Sequence, residues 1–224
     1  GLLCNAGALL KEYTVNSDNL ETTFACHLAM GTYLLGSLAM PLLESTEDSR
    51  LVIMSSGGMY TRKVPSWEVL TYTCDESTEK YDGLKAYGYN KRAQVLLAEQ
   101  WSKLYTNTKI VSVHPGWCET EGVSGAFTDE EVSYLKPLRD NWQGIEGACW
   151  LLAAPSSSLQ TGEFYLDRGV APKYISGLFW TEGGQTKNTE SEIRFLMTNL
   201  DRITNTTTQS PLVKEVFLKN INDK

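Results

Sequence analysis

The strongest chemical signal in the sequence is a tyrosine and a lysine four residues apart, Tyr87 and Lys91, in the run Tyr-Gly-Tyr-Asn-Lys. On a helix, residues with this spacing share one face, so the ammonium group can lie beside the phenol. A neighbouring positive charge stabilises a phenolate and lowers the pKa of the phenol. The pair could therefore act as a general acid or base.

The same spacing occurs at Tyr81 and Lys85 and at Tyr105 and Lys109, so the local sequence favours one pair over the others. Only Tyr87 opens an uninterrupted helical pattern, preceded by a turn and helix-start signal at Asp82-Gly83. Apolar residues then recur on one side of the predicted helix: Ala93, Leu96, Leu97, Trp101 and Leu104. The context favours Tyr87 as the reactive phenol.

The elements that must position this pair alternate between short apolar strands and long helices. Strands are predicted near 1–4, 50–54, 109–113 and 163–166, and helices near 18–43, 84–105, 141–153 and 189–203. The run Asp18 to Glu21 is typical of a capping box for the first helix. Such alternation predicts an α/β fold with a parallel sheet covered on both faces, in which ligands bind beyond the carboxyl ends of the strands.

Four ordered motifs resemble the short-chain dehydrogenase/reductase (SDR) superfamily. They are Asn5-Ala-Gly7 after the first strand, Ser55-Ser56 after the second, Tyr87-x-x-x-Lys91, and His114-Pro-Gly-Trp-x-x-Thr120 after the third. The runs 55–59, 90–92, 114–117 and 164–168 are most similar to the branch called dehydrogenase/reductase family member 12. The resemblance covers residues 1–203 and implies a Rossmann-like, doubly wound parallel sheet.

The resemblance also implies a reaction, namely hydride transfer between NADP or NAD and an apolar carbonyl or alcohol. Tyr87 would move the proton and Ser56 would hold the substrate oxygen. Lys91 would bond the nicotinamide ribose. Cofactor contacts are also implied for Asn5, Ala6 and Gly7 on the adenosine side, and for Pro115, Gly116 and Thr120 at the nicotinamide end.

Two departures from the family pattern favour an alternative, a non-catalytic SDR-fold subunit with a structural role in a larger assembly. The family's first strands and its Gly-rich pyrophosphate turn are missing from the sequence, and the usual helical Asn is replaced by Leu28, with one extra residue after Phe24. The first half of the cofactor site would then lie upstream, come from a partner, or be lost. Cofactor binding would be weak or absent if this chain were complete.

Composition favours an ordinary soluble domain: 224 residues, 42% hydrophobic and 21% charged, with a net charge of −7. A nucleic-acid partner is disfavoured because no basic stripe exists. The five cysteines lack metal-ligand spacing, so no metal site is predicted and the thiols indicate a reducing intracellular compartment, most simply the cytoplasm, with organelle targeting left open. The apolar stretch 24–43 is interpreted as a buried helix, not a membrane span.

Several secondary predictions concern packing and association. Residues 57–82 form an insertion long enough to serve as a lid, and 204–224 form a linker followed by an amphipathic segment, Leu212 to Phe217. His27 is interpreted as a core or interface residue in preference to a replacement catalytic group, and His114 as structural. Trp117 and Met59 are pocket-wall or core candidates. A homo-oligomer would bury Leu96 and Trp101, whereas an assembly subunit would offer a surface to another protein.

Overall fold

The computed structural model describes residues 1–73, 81–174 and 186–204. In this part of the chain a single sheet has strands in the order β1 to β5. They are β1 (Leu2–Cys4), β2 (Arg50–Met54), β3 (Lys109–Val113), β4 (Phe164–Leu166) and β5 (Gly169–Ala171). The first four are parallel and β5 pairs antiparallel with β4. The predicted α/β class is confirmed, and the predicted bounds of β2 and β3 are correct to the residue.

Both faces of the sheet are covered by apolar side chains, because successive residues of a strand point to opposite faces. On β2, Leu51 and Ile53 join a large core with Leu96 and Leu97, whereas Val52 and Met54 pack into a second core. The strand is buried along its whole length. This explains why it reads as a continuous apolar run instead of an alternating one.

The helices fill the two layers on either side of the sheet. They are α1 (Thr22–Phe24), α2 (Leu35–Ser45), α3 (Trp67–Leu70), α4 (Gly83–Leu104), α5 (Glu121–Ala126), α6 (Asp129–Leu135), α7 (Asn141–Ala153) and α8 (Glu190–Thr204). The sequence did not predict the short helices α3, α5 and α6 or the strand β5. The predicted bounds of α7 are correct to the residue.

One continuous helical rod, Thr22 to Ser45, joins α1 to α2 through a π-helical segment, Ala25–Leu34. The proposed cap at Asp18 is wrong, because the rod begins later. The carboxylate of Glu21 accepts hydrogen bonds from the amides of Thr23 (2.8 Å) and Phe24 (2.6 Å) and so caps the first turn. Within the described residues this rod alone is long and apolar enough to cross a membrane, and half of that stretch is buried inside the fold.

Helix α4 begins as predicted, with the carboxylate of Asp82 accepting a hydrogen bond of 3.0 Å from the amide of Lys85. Its apolar stripe points inward: Leu96 is 0% exposed and Trp101 is 1% exposed. Trp101 also packs edge-on against Tyr105 and against Gly36 of α2. The expectation that Leu96 and Trp101 form a self-association surface is therefore wrong, since the chain's own core already covers them.

The described part of the insertion packs onto the domain. Met59, Val64 and Leu70 are each less than 5% exposed. Met59 lies in a small core with Val95 and Phe164, so of its two interpretations core packing is correct. Residues 74–80, and the amphipathic segment Leu212 to Phe217 with the linker before it, lie outside the described residues.

Candidate active site

Ser56 and Tyr87 meet at the carboxyl end of β2. Ser56 is extended and caps the 3-10 turn Gly57–Tyr60, its Oγ accepting a hydrogen bond of 3.2 Å from the amide of Gly58. The Ser56 hydroxyl lies close enough to the Tyr87 phenol to lower the pKa of the phenol. The turn also lies against the ring, since a Cβ on Gly58 would sit 3.4 Å from Cε1 of Tyr87. The structure thus brings the predicted serine and tyrosine together.

Lys91 lies one helical turn beyond Tyr87 and is 3% exposed. Its Nζ donates a hydrogen bond of 2.7 Å to the carbonyl oxygen of Met54, the last residue of β2. The ammonium nitrogen also lies 5.4 Å from the centroid of the Tyr87 ring. The Ser55 hydroxyl in turn donates 2.8 Å to the Lys91 carbonyl. The end of β2 and the first half of α4 are therefore joined by two buried hydrogen bonds.

Burial dominates the proton affinities of this pair. It raises the pKa of Tyr87 above its ordinary value, and the Ser56 hydrogen bond opposes that shift. Burial also lowers the pKa of Lys91 to about 7. The sequence-based expectation that Lys91 lowers the pKa of the phenol is wrong for this structure, because burial raises the pKa of Tyr87 and also lowers the pKa of Lys91, so that the amine is only partly charged at neutral pH. At neutral pH Tyr87 is therefore a phenol that can donate a proton.

The rim of the site is formed by Asn5, Ala6 and Gly7, which follow β1 and are exposed. His27 joins this rim to the phenol. Its ring centroid lies 5.3 Å from that of Tyr87 with the planes at 88°, and its Nε2 lies within hydrogen-bonding distance of the backbone of Ala8. One buried side chain, His27, therefore contacts both the rim and the proton donor.

The loop after β3 lies on the other side of Ser56. His114 is close to Gly57, stacks on Phe164 at 6.4 Å, and accepts a hydrogen bond of 3.3 Å at Nδ1 from the amide of Gly116. Burial lowers its pKa to about 4. These contacts agree with the structural interpretation of His114. Among the described residues no group of three or more His, Cys, Asp or Glu side chains could hold a metal ion.

Gly116 and Thr120 shape the backbone of the same loop. Gly116 has a φ of +80°, and a Cβ there would lie 2.6 Å from the guanidinium carbon of Arg139. The guanidinium donates to the Pro115 carbonyl (3.2 Å) and makes a bidentate pair with Asp167 at 2.6 and 2.7 Å. Thr120 lies further along and caps α5. The cofactor roles expected for Pro115, Gly116 and Thr120 stay predictions.

Sequence reasoning undervalued two residues of this region. His27 was interpreted as a core or interface histidine, and it is buried, but it also contacts the phenol and the rim. The signal that could have identified it was the extra residue between Phe24 and Gly31. Leu28, at the position of the family Asn, lies in the apolar core and is 0% exposed. Nothing in the sequence marks Arg139 as part of the site, because its partner Asp167 is distant in sequence.

Comparison with known proteins places these motifs in a family. No family model matches the chain. Over 177 residues it is 33% identical to dehydrogenase/reductase SDR family member 12 of Bos taurus, and this alignment covers 78% of the chain and 53% of that protein. The chain spans about half the length of the curated relatives it matches.

Solved structures with low sequence identity share the fold. A crystal structure of an uncharacterised protein from Mycobacterium paratuberculosis matches 91% of this chain and 66% of its own, with TM-score 0.59 and 16% identity. NADPH-dependent 3-quinuclidinone reductase from Rhodotorula rubra matches 73% and 58%, with TM-score 0.52 and 18% identity. With the sequence relatives, these comparisons establish that the chain belongs to the short-chain dehydrogenase/reductase superfamily and is similar to family member 12.

Proposed function

We propose that this chain carries the proton-transfer site of an NAD(P)-dependent oxidoreductase that interconverts an apolar carbonyl compound and its alcohol. The observation that supports the proposal is the partly buried Tyr87 phenol, which has Ser56 beside it and the buried amine of Lys91 5.4 Å from its ring centroid. Burial of the Lys91 amine is costly because the charged group must be stripped of water, which favours a functional role for it.

In carbonyl reduction Tyr87 is the acid. Its raised pKa keeps it protonated at neutral pH, so its hydroxyl can donate a proton to a carbonyl oxygen held within hydrogen-bond reach. The Ser56 hydroxyl, which contacts the phenol, is placed to donate to the same oxygen. In alcohol oxidation the same phenol must first lose its proton, which its raised pKa opposes at neutral pH. A bound nicotinamide supplies or accepts the hydride.

The residues present would fit part of such a cofactor. The rim Asn5–Gly7 leaves the sheet beside Tyr87, where parallel sheets of this kind bind ligands. Gly7 leaves room for the ring of His27 beside the rim, since a Cβ there would lie 2.3 Å from Cε1 of the imidazole. The 224 residues contain no Gly-rich turn for a pyrophosphate. By the resemblance, Asn5, Ala6 and Gly7 would line the adenosine side of the cofactor and Lys91 would bond the nicotinamide ribose, whether the cofactor is NADP or NAD.

An apolar substrate is supported by the surface next to the loop after β3. Trp117 is 41% exposed, and its ring meets Phe127 edge-on at 5.8 Å. The exposed ring of Trp117, backed by the partly buried Phe127, offers apolar area for a substrate's hydrocarbon part. The proposal therefore places the substrate between Trp117 and the Ser56 hydroxyl.

The test compares Tyr87→Phe with Tyr105→Phe in NAD(P)H-dependent reduction of a panel of apolar ketones and aldehydes. Both tyrosines precede a lysine by four residues, but Tyr105 packs on Trp101 in the core. Loss of the proton donor should lower kcat roughly 100- to 10,000-fold in Tyr87→Phe, with little change in cofactor Kd. Tyr105→Phe should keep near-normal kcat.

Two results would contradict the proposal. If Tyr87→Phe loses cofactor binding and turnover to the same extent, the phenol holds structure instead of moving a proton. If the unmodified protein reduces no substrate while binding the cofactor, the alternative of a non-catalytic subunit is favoured.

A further inference from the structure

The π-helical segment Ala25–Leu34 is kept open by dedicated contacts. A π turn holds one residue more than an α turn and is rare in proteins. The carbonyl of His27 accepts hydrogen bonds from the hydroxyl of Thr32 (2.6 Å), five residues later, and from the side-chain amide of Gln94 (2.8 Å). A Cβ on Gly31 would lie 1.8 Å from the carbonyl oxygen of Cys26. Thr32, Gln94 and Gly31 thus together maintain the wide turn.

The residue at the centre of these contacts, His27, is wedged between the rim and the phenol. Its ring meets the Tyr87 ring almost at a right angle, at 5.3 Å. A Cβ on Gly7 would lie 2.3 Å from Cε1 of the same imidazole. The imidazole is 1% exposed. It therefore fills the space in which the Tyr87 ring could otherwise tilt away from Ser56.

Burial and the nearby Lys91 keep this imidazole neutral, lowering its pKa to about 3. Its Nε2 lies 3.0 Å from the amide nitrogen and 2.6 Å from the carbonyl oxygen of Ala8, so it can bond either one according to tautomer. Its Nδ1 has no hydrogen-bond partner within the described residues. The imidazole is neutral and only one of its two nitrogens has a hydrogen-bond partner, so it acts here mainly through its shape.

We propose that His27 is a positioning residue, which the π turn places edge-on against Tyr87 so that the phenol stays directed at Ser56 and the Asn5–Gly7 rim. The proposal rests on the oxidoreductase function proposed above. The extra residue of the π turn explains how His27 reaches this place, because each residue of an α-helix turns the side chains by about 100°. Without the extra residue, the imidazole and the apolar residues after it could not both keep their positions.

The experiment compares the unmodified protein with His27→Ala, His27→Phe and Phe24→Leu, and uses Tyr87→Phe only to assign a resonance. Each is labelled with ¹³Cζ-tyrosine, and the Tyr87 resonance is assigned by its loss in Tyr87→Phe. The groups that face the phenol are Ser56 from the turn after β2, Lys91 from α4 and His27 itself. In His27→Ala, water should enter the space that the imidazole leaves. Because burial raises the pKa of Tyr87, this water should lower that pKa toward its ordinary value. It should also lower kcat roughly 10- to 100-fold with a much smaller change in KM for the cofactor.

His27→Phe and Phe24→Leu separate positioning from stability. Phe keeps the edge-on ring without its nitrogens, so His27→Phe should restore both the Tyr87 titration and kcat to within a few-fold of normal. Phe24 makes a similar edge-on contact, at 5.5 Å, but with Trp67 instead of Tyr87. Phe24→Leu should therefore lower the melting temperature while leaving the Tyr87 titration unchanged.

The proposal would be overturned by an unchanged Tyr87 titration in His27→Ala, or by His27→Phe behaving like His27→Ala. The second result would show that the ring nitrogens matter and the shape does not. The titration needs no turnover, so it decides the role of His27 even if no substrate is reduced. Failure of the proposed function would appear separately, as absent turnover in the unmodified protein.

Discussion

Two neighbouring regions of the site are built by opposite means. The phenol cluster comprises Ser56 and Tyr87, which are partly buried, and Lys91 and His27, which are buried and contact the backbone at the end of β2 and after β1. The loop cluster, comprising residues 114–120 with Arg139 and Asp167, is largely exposed and held by an ion pair. In the first region burial has the largest effect on the pKa values, whereas in the second the hydrogen bond with Arg139 lowers the pKa of Asp167 and burial still lowers that of His114.

The difference suggests a division of labour. A rigid cluster with little exposure to solvent suits proton transfer, because that step needs fixed geometry and shifted pKa values. An exposed loop that is tied by a surface ion pair can move at little cost when a ligand enters. The following predictions test this contrast, beginning with the variants that should cost most.

Lys91→Met should have the largest effect, on catalysis. The substitution keeps the length of the side chain but removes the ammonium beside the phenol and leaves the Met54 carbonyl without its hydrogen bond. We expect kcat to fall roughly 100-fold or more in the ketone-reduction assay, because the proposed site loses the amine next to the proton donor and the hydrogen bond that joins α4 to the end of β2. Lys103→Met, at an exposed position of the same helix, is the control. Equal rates for the two variants would show that the phenol cluster is not catalytic.

Gly7→Ala should be the most damaging small change at the rim. The added methyl would lie 2.3 Å from the His27 ring, which is packed against Tyr87 and cannot yield easily. Overpacking of this kind costs about 1–3 kcal/mol of unfolding free energy. Gly125→Ala is the matched control, since a methyl there meets nothing within 4 Å. Denaturant unfolding measures both, and a Gly7→Ala protein as stable as Gly125→Ala would contradict a tightly packed rim.

The phenol cluster was partly predictable from the sequence. Tyr87 and Lys91 lie on one face of a helix, and Ser56 follows a strand of a parallel sheet, so the parallel topology brings the three residues together. The bounds of β2, β3 and α7 were also readable, because buried runs and the cap at Asp140 mark them. The directions of the Tyr87 and Lys91 pKa shifts could not be predicted from the sequence. The spacing places Lys91 near the phenol, but it does not show how far burial excludes water from the two groups or that the amine bonds the Met54 carbonyl.

The remaining failures have related physical causes. The π turn depends on Gln94, which is remote in sequence from His27, and no local propensity encodes that contact. The stripe with Leu96 and Trp101 indicated an apolar surface without saying what covers it. The covering residues, such as Gly36 of α2 and Met197 of α8, come from elements far along the chain.

The buried amine of Lys91 also predicts a pH effect on stability. Its pKa is about 7 in the folded protein against an ordinary 10.5. Between these values the unfolded chain binds more protons than the native one, so the free energy of unfolding rises with pH. The unmodified protein should therefore gain stability relative to Lys91→Met between about pH 7 and pH 9.5 in denaturant titrations. A constant difference, like that expected for Lys103→Met, would mean that the amine is not desolvated.

Arg139→Gln should have the smallest effect, and a salt-dependent one. The side chains of Arg139 and Asp167 are 32% and 59% exposed, so their ion pair contributes at most about 1 kcal/mol and weakens as salt is added. The loss of the Arg139 charge should have a clearer effect on the titration of His114 than on stability. Arg139 lowers the pKa of His114 and Asp167 raises it, so removing the guanidinium should move the His114 titration upward in an NMR experiment. Arg168→Gln, which breaks the exposed pair with Glu146, is the control and should leave His114 unchanged. If Arg139→Gln instead destabilised the fold as much as Gly7→Ala, the loop cluster would be as rigid as the phenol cluster, and the division of labour between them would be wrong.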